Sequence, residues 1–225
     1  MLQQLLDIFT APTTAFARIQ HKPTVFWPLL LLVVALASIQ AGYLSLTDRA
    51  FLIDQFVEQA MASNASLNEE QLRPAYESMP MNVLMGTATV GTMVTVLVVC
   101  LLMALYLNFM SKFGHEGYTY KHWLSLVCWT SMPTLLIALA AWVAILSGNG
   151  RVDLMSLQPL SLDSLLGIDS GKPIMQNLSL PQFWAMALLV LGYRYLTKST
   201  LLRASIITLA PYVLIFGIWG WFSFN

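Results

Sequence analysis

Residues 112–133 read KFGHEGYTYKHWLSLVCWTSMP, a short charged turn that joins two long apolar runs. The run before the turn, 78–111, and the run after it, 123–150, contain no Lys, Arg, Asp or Glu. About 20 apolar residues cross the ~30 Å hydrocarbon core of a bilayer as a helix, which satisfies its own backbone hydrogen bonds there. The stretch therefore predicts two membrane-spanning helices and places the turn at one membrane surface.

The composition of the whole chain indicates the same class of protein. Of its 225 residues, 57% are hydrophobic and 10% are charged, whereas soluble domains carry about 25% charged residues. Such a chain lacks the polar surface that water demands, and no nucleic-acid partner is expected. Four stretches are free of Lys, Arg, Asp and Glu: 23–47, 78–111, 123–150 and 204–225.

The predicted fold is all-α: a polytopic membrane protein with five transmembrane helices and an N-terminal interfacial amphipathic helix. It divides into a cytoplasmic interfacial segment, 1–23, and a single five-helix membrane domain, 24–225. The spans are expected at about 24–46, 81–111, 123–146, 181–197 and 204–224. The fourth span ends with Arg194 and Lys198, whose long side chains are expected to reach the headgroups.

The N-terminal segment has the pattern of an amphipathic helix. Four apolar residues lie at i, i+3, i+4 and i+7, a spacing that puts them on one helical face: Leu2, Leu5, Leu6 and Phe9. Pro12 then restarts the helix, because proline suits a first helical turn. We expect this segment to lie on the membrane surface.

The basic residues are divided unevenly between the two sides of this five-span arrangement. One side holds Arg18, Lys22, Lys112, Lys121, Arg194, Lys198 and Arg203. The other side holds Arg49, Arg73, Arg151 and Lys172, spread over two longer loops. Because cytoplasmic loops carry the excess of Lys and Arg, the N-terminus is predicted in the cytoplasm and the C-terminus outside. A four-span arrangement would move the last three basic residues of the first set outside, against this bias.

Small residues and prolines mark candidate positions for helix packing. Thr87, Gly91 and Thr95 recur every four residues in span 2, and such strips let helices approach closely in lipid. Pro133 in span 3 and Pro211 in span 5 each remove a backbone hydrogen bond and predict a kink. Hydroxyl side chains near the first proline are candidates to replace the lost bond: Thr130, Ser131 and Thr134.

Residues that could support catalysis or bind a metal are sparse. His115-Glu116 resembles half of a zinc-protease motif, but His122 is not at the spacing that puts two imidazoles on one helical face. Cys100 and Cys128 lie in apolar runs, and neither shares a span with a histidine. We therefore expect no enzyme activity, no catalytic residue, no metal site and no cofactor.

The basic residues on the N-terminal side predict the working surface. We expect a non-enzymatic membrane organiser or adaptor that binds membrane lipids, a protein partner or a second copy of itself at its cytoplasmic face. Anionic headgroups attract each nearby basic residue by about 1 kcal/mol, and the same charges also set the topology. The candidate residues for this rim are Arg18, Lys22, Lys121, Arg194, Lys198 and Arg203.

A small transporter or channel is the alternative, with a path between the kinked spans 3 and 5. Its support is the two prolines together with polar residues inside the spans, such as Gln40, Asn108 and Thr208. Against it, no charged residue lies clearly in mid-membrane, where coupled transport pathways usually need one.

Four segments of the chain resemble the Yip family, five-span membrane proteins named for their interaction with Ypt/Rab GTPases. They are FTAP at 9–12 with Phe16, Arg18, Ile19 and Pro23; GYTY at 117–120 with Trp129 and Pro133; FW at 183–184 with LGYR at 191–194; and RA at 203–204 with Pro211. Their order along the chain and the five predicted spans together carry the resemblance.

This resemblance implies a five-span fold with a cytoplasmic N-terminus. Eukaryotic members are implicated in early secretory traffic and in GTPase binding, and they carry a long cytoplasmic N-terminal domain. Here residues 1–22 precede the first span, so the chain is similar to the short bacterial members. A bacterial inner membrane is the expected location.

Overall fold

The computed structural model describes residues 2–63, 68–114, 117–167 and 173–224, and in these ranges the regular structure is helical. The α-helices are α1 Leu2–Thr10, α2 Pro12–His21, α3 Phe26–Leu46, α4 Arg49–Ser63, α5 Glu69–Ser78, α6 Met81–Ser111, α7 Tyr120–Thr130, α8 Leu135–Ser147, α9 Leu162–Leu166, α10 Pro173–Asn177, α11 Leu180–Thr197 and α12 Leu201–Phe224. The predicted all-α class is confirmed.

Four helical segments are long and apolar enough to cross a membrane: Phe26–Leu46, Met81–Ser111, Tyr120–Ser147 and Leu201–Trp221. They correspond to the predicted spans 1, 2, 3 and 5. Many of their apolar side chains point outward, such as Val90 at 57% exposure and Val213 at 67%. An outward apolar face is expected of a helix in lipid, because hydrocarbon rather than water surrounds it.

Helix α11 corresponds to the predicted fourth span, and it is less apolar than the other four. It contains Gln182 and Arg194, which lower its mean hydropathy. It nevertheless packs against α12, and the three-residue turn at 198–200 that joins the two helices makes the pair antiparallel. Its 18 residues make a helix of about 27 Å.

Helices α1 and α2 pack along α11 instead of extending away from the bundle. The ring of Phe9 lies 5.2 Å from that of Trp184, and the ring of Phe16 lies 6.0 Å from that of Tyr195. Ile8 and Ile19 are fully buried against the bundle. The two helices therefore belong to the main core, and a position flat on the membrane surface stays a prediction.

Several side chains of α1 are placed opposite to the pattern of a water-soluble helix, with polar residues inside and apolar residues outside. Gln4 and Asp7 are 7% exposed and face the bundle, whereas Leu2 and Leu6 are 69% and 54% exposed. The Asp7 carboxylate forms an ion pair of 2.9 Å with Arg18 of α2. Buried charges are tolerated when they are paired, so this contact fixes the corner between α1 and α2.

The main core is built around α7, which is buried on all sides from Trp123 to Thr130. It is enclosed by α1, α2, α3, α6 and α11. Gly192 of α11 allows the closest of these approaches, because a Cβ there would lie 2.5 Å from Leu126 and 3.0 Å from Phe16. A smaller second cluster, which includes Tyr43, Leu52 and Val152, joins α3, α4 and the segment after α8 at the opposite end of the bundle.

Pro133 interrupts span 3 with a buried 3₁₀ turn, Met132–Thr134. The predicted hydroxyl groups do bond the backbone of this turn. Thr130 Oγ1 donates to Leu126 O at 2.8 Å, Ser131 Oγ to Val127 O at 2.8 Å, and Thr134 Oγ1 to Ser131 O at 2.7 Å. These hydroxyl groups bond carbonyls on either side of the break, and none of the three bonds goes to Trp129 O, the carbonyl four residues before Pro133.

Pro211 lies inside the continuous helix α12. Proline has no N–H to donate to the carbonyl four residues earlier, which is that of Ile207. The hydroxyl of Tyr106 on α6 donates to Ile207 O at 2.9 Å. The bond that Pro211 removes is therefore replaced by a side chain from another helix.

Candidate functional site: the basic end of the bundle

One end of the bundle collects the predicted rim residues, and contacts between distant parts of the chain define this basic end. Gln20 Nε2 donates to Tyr118 Oη at 2.7 Å, which ties the end of α2 to the turn before α7. Ser125 Oγ donates to Thr24 O at 2.8 Å, which fixes the chain between α2 and α3. The start of α7, the end of α11 and the start of α12 complete this end.

Each of the six predicted residues occupies a helix terminus or a connecting turn. Lys22 follows α2, Lys121 lies in the first turn of α7, and Arg203 lies in the first turn of α12. Arg194 lies in the last turn of α11, and Lys198 ends that helix in the left-handed conformation with φ 51°. The remaining residue is Arg18, near the end of α2.

The structure separates one of these residues from the other five. Arg18 is paired with the buried Asp7, and its side chain is 41% exposed. The other five are exposed, and among the described residues none of them has an acidic partner within ion-pair distance: Lys22, Lys121, Arg194, Lys198 and Arg203. We call these five residues the free rim. The Asp7 contact could not be predicted from the sequence, because the two residues lie on separate helices joined by a corner.

A layer of aromatic side chains lies directly beneath the free rim. The ring of Trp123 is 6.0 Å from that of Tyr118 and 5.4 Å from that of Tyr193. Trp and Tyr are enriched at membrane–water interfaces, so this layer suits the level of the headgroups. Gln20 was not singled out from the sequence, whereas Tyr118 was noted there as part of the GYTY segment at 117–120 and has the residue type expected at such a level.

The opposite end of the bundle uses its basic residues differently. Arg49 donates to the carbonyl oxygens of Glu77 and Met79 at 2.7 and 3.2 Å, which closes the end of α5. Arg73 forms ion pairs with Asp54 at 2.7 Å and with Glu69 at 2.8 Å. The hydrogen bond to Glu69 raises the pKa of the Arg73 guanidinium. These arginines serve the fold of the α4–α5 pair.

Comparison with known proteins gives the family of the chain. Residues 6–222 match the model of the Yip1 domain. The chain belongs to the Yip1 domain family. No curated protein and no solved structure matches it. The match extends from α1 into the last turns of α12, so in this Yip1 domain the N-terminal helices, the bundle and the free rim all lie inside the family region.

The Yip1 family and the four long apolar helices together support an integral membrane protein. Within the family region, the candidate packing strip of α6 faces away from the rest of the chain. Thr87, Gly91 and Thr95 are exposed, and a Cβ on Gly91 would meet no atom within 4 Å. The strip thus packs against no other described helix of this chain, and a packing role stays a prediction.

The other groups considered for catalysis or metal binding have structural roles in the Yip1 domain where they lie among the described residues. His122 Nδ1 lies 2.9 Å from Thr119 Oγ1 and forms a capping box that starts α7. Cys100 of α6 and Cys128 of α7 are both buried in the main core. His115 and Glu116 lie outside the described residues. Among the described residues, no three His, Cys, Asp or Glu side chains form a group that could hold a metal ion.

Proposed function

We propose that this Yip1 domain is a non-enzymatic membrane organiser that binds anionic lipid headgroups or an acidic protein partner at its basic end. The free rim carries this proposal. It places five exposed basic side chains around one end of the bundle, without acidic partners in the described part of the chain. Anionic headgroups attract each basic residue near the surface by about 1 kcal/mol, so five together provide a substantial attraction.

We propose further that α11 crosses the membrane as a fifth span. Its antiparallel packing on α12 supports this, because a helix that accompanies a spanning helix from end to end crosses the same layer. Its length of about 27 Å is close to the ~30 Å hydrocarbon core. Arg194 lies in its last turn, where a long side chain extends to the headgroups.

Five spans put the free rim and the N-terminus on the same side of the membrane. The positive-inside rule favours the cytoplasm for that side, with the C-terminus outside. We propose a bacterial inner membrane as the location, whose cytoplasmic leaflet would present anionic lipids to the free rim.

Cysteine labelling tests this topology. Cys100 and Cys128 are buried, so single cysteines introduced at exposed positions give a low background. Ser156→Cys should react with a membrane-impermeant maleimide in intact cells, whereas Thr200→Cys should react only after the cells are opened. Labelling of both positions from outside would show that α11 does not cross.

Lipid analysis tests the binding proposal. A variant with Lys22, Lys121, Arg194, Lys198 and Arg203 all changed to Gln should co-purify with at least five-fold less anionic phospholipid than the parent protein. Arg151→Gln, which removes an exposed charge at the opposite end, should leave the lipid content unchanged. Equal lipid content in all three proteins, with labelling patterns unchanged, would mean that the rim charges serve topology alone.

The structure does not favour a path between spans 3 and 5. Helix α12 packs on α11, α10 and α6. The carbonyl that Pro211 leaves without an N–H donor accepts a hydrogen bond from Tyr106. The turn at Pro133 is buried in the main core. We therefore do not propose transport.

A further inference from the structure

A lateral groove of about 630 Å³ lies between α11 and α12. Apolar side chains line it almost entirely, from Leu178 and Phe216 at one end to Leu191 and Leu201 at the other. The small residues Ala187 and Ser205 also line it, one on each helix. Because small side chains leave room between the two helices, they account for an opening that larger neighbours would close.

The groove follows one stripe of each helix. On α12 its residues are spaced by three or four positions, which keeps them on one face: Leu201, Ser205, Leu209, Tyr212, Val213 and Phe216. The distance from Leu201 to Phe216 is about 22 Å at 1.5 Å per residue. One leaflet of the hydrocarbon core is about 15 Å deep, so the groove is long enough for an extended acyl chain.

The basic end of the groove is defined by two members of the free rim. On α11 the stripe of Phe183, Ala187 and Leu191 continues to Arg194, which follows Leu191 by three positions and shares its helical face. Lys198 is the left-handed residue that ends α11, and it lies in the short turn that leads to Leu201 of the groove. The apolar groove thus leads to two exposed cations that have no acidic partner among the described residues.

We propose that this groove is a binding site for one anionic phospholipid, with an acyl chain between α11 and α12 and the phosphate at Arg194 and Lys198. The inference rests on the proposed function and adds a defined site with a defined stoichiometry to it. Apolar walls match the acyl chain, and the two cations match the phosphate in charge. The required partner is an amphiphile with a single anionic end.

The dimensions of the groove favour a lipid chain over a helix of a partner protein. A helix about 10 Å wide and 20 Å long fills about 1,600 Å³, which exceeds the empty space of about 1180 Å³ in the groove even with the open space at its mouth included. A helix could therefore lie across the mouth of the groove but not within it. A single acyl chain has a much smaller cross-section and follows the groove along its length.

Groove-filling and charge-removing variants test the site together. Ser205→Phe should close the groove, and Arg194→Gln with Lys198→Gln should remove the phosphate contacts. Two matched controls leave the site intact: Ile206→Phe adds the same side chain on an outward face of α12 at 62% exposure. Arg151→Gln removes an exposed charge at the opposite end of the bundle, outside the free rim.

The measurement is native mass spectrometry of protein exchanged into nanodiscs of phosphatidylglycerol and phosphatidylcholine, followed by stepwise delipidation. The parent protein and both controls should retain one phosphatidylglycerol. Both site variants should retain at least ten-fold less. Ala187→Leu is a second groove-filling variant for the case in which Ser205→Phe does not fold.

The outcomes separate this inference from the proposed function. Retention of one phosphatidylglycerol by folded groove-filling variants would overturn the site. The proposed function would still stand in that case if the variant with all five rim residues changed to Gln loses anionic lipid. Equal retention of phosphatidylcholine by the parent protein would also overturn it, since the cations would then select nothing. A co-purified polypeptide that is lost with Ser205→Phe, without any bound lipid, would assign the groove to a protein partner instead.

Discussion

The segments around Pro133 and Pro211 solve the same backbone problem in two different environments. Pro133 lies in the main core, where the chain breaks into a 3₁₀ turn and neighbouring hydroxyl groups bond the local carbonyls. Pro211 lies in a helix with an outward face of exposed apolar residues, and a tyrosine from α6 replaces the lost bond. In the first segment the side-chain bonds are local and go to other carbonyls, whereas in the second the replacement of the lost bond depends on tertiary structure.

This difference follows from what surrounds each proline. A buried turn is held by packing on all sides, so the chain tolerates the break, and local hydroxyl groups bond carbonyls beside it. A peripheral helix has lipid on one side, which offers no hydrogen bond to an open carbonyl. The open Ile207 carbonyl therefore requires a donor from the protein side, and α6 supplies it.

The largest expected effect is a loss of packing at the buried segment. Met132→Ala removes a side chain that is 0% exposed beside Pro133, and it should lower the free energy of unfolding by about 2–5 kcal/mol. Leu214→Ala, which truncates a side chain 63% exposed beside Pro211, should change it by less than about 1 kcal/mol because lipid fills the space. Unfolding in mixed micelles measures both, and equal losses would contradict the contrast in burial.

An added methyl group should also destabilise the buried region more than the peripheral helix. Gly192→Ala places a Cβ 2.5 Å from Leu126, which should cost about 1–3 kcal/mol of unfolding free energy. Gly217→Ala, on α12 beyond Pro211, meets no atom within 4 Å and should be neutral or slightly stabilising. The same micelle titration gives the comparison, and tolerance of Gly192→Ala would show that α11 is packed less closely on α7.

The tyrosine contact has a smaller expected effect, and it should depend on the proline. Tyr106→Phe leaves the Ile207 carbonyl without its donor and should cost about 1–2 kcal/mol. In a Pro211→Ala background the helix supplies its own N–H, so the same change should cost clearly less. A double-mutant cycle measures this coupling, and identical costs in both backgrounds would separate Tyr106 from the proline.

The smallest expected effect belongs to the local hydroxyls. Ser131→Ala should cost about 0.6 kcal/mol, the average for such hydrogen bonds within a membrane protein, because Thr130 and Thr134 keep their own bonds to the turn. Ser45→Ala, a comparable hydroxyl in α3 far from any break, provides the reference. A loss of unfolding free energy at Ser131 as large as that at Tyr106 would mean that the bonds of Thr130 and Thr134 do not compensate for the lost hydroxyl.

Much of this architecture could be read from the sequence. The charge-free runs gave four of the spans to within a few residues, since crossing a bilayer depends on composition and length alone. The two prolines and the hydroxyls beside Pro133 were also visible, because those contacts lie within four residues of each other. The basic residues of the rim could be assigned to one side of the membrane, because the spans divide the polar segments into two sets.

Other features of the structure depended on which helix faces pack against each other. The strip at Thr87, Gly91 and Thr95 has the spacing of a packing surface, yet it faces outward here, because spacing defines a face without saying what covers it. Arg18 has the residue type of a rim cation, but Asp7 neutralises it. The apolar residues of α1 were visible in the sequence, whereas the exposure of Leu2 and Leu6 and the burial of Asp7 were not.

The sequence by itself determined a polytopic α-helical membrane protein with two proline-bearing spans and a basic side, because hydropathy, helix length and proline chemistry act locally. Only the tertiary structure decided that Tyr106 serves Ile207, 101 residues away. It also decided that α11 and α12 leave an apolar groove, which is lined from Phe183 to Leu191 on one helix and from Leu201 to Phe216 on the other. Such contacts arise from the packing of whole helices, and in lipid many faces of similar composition compete for that packing.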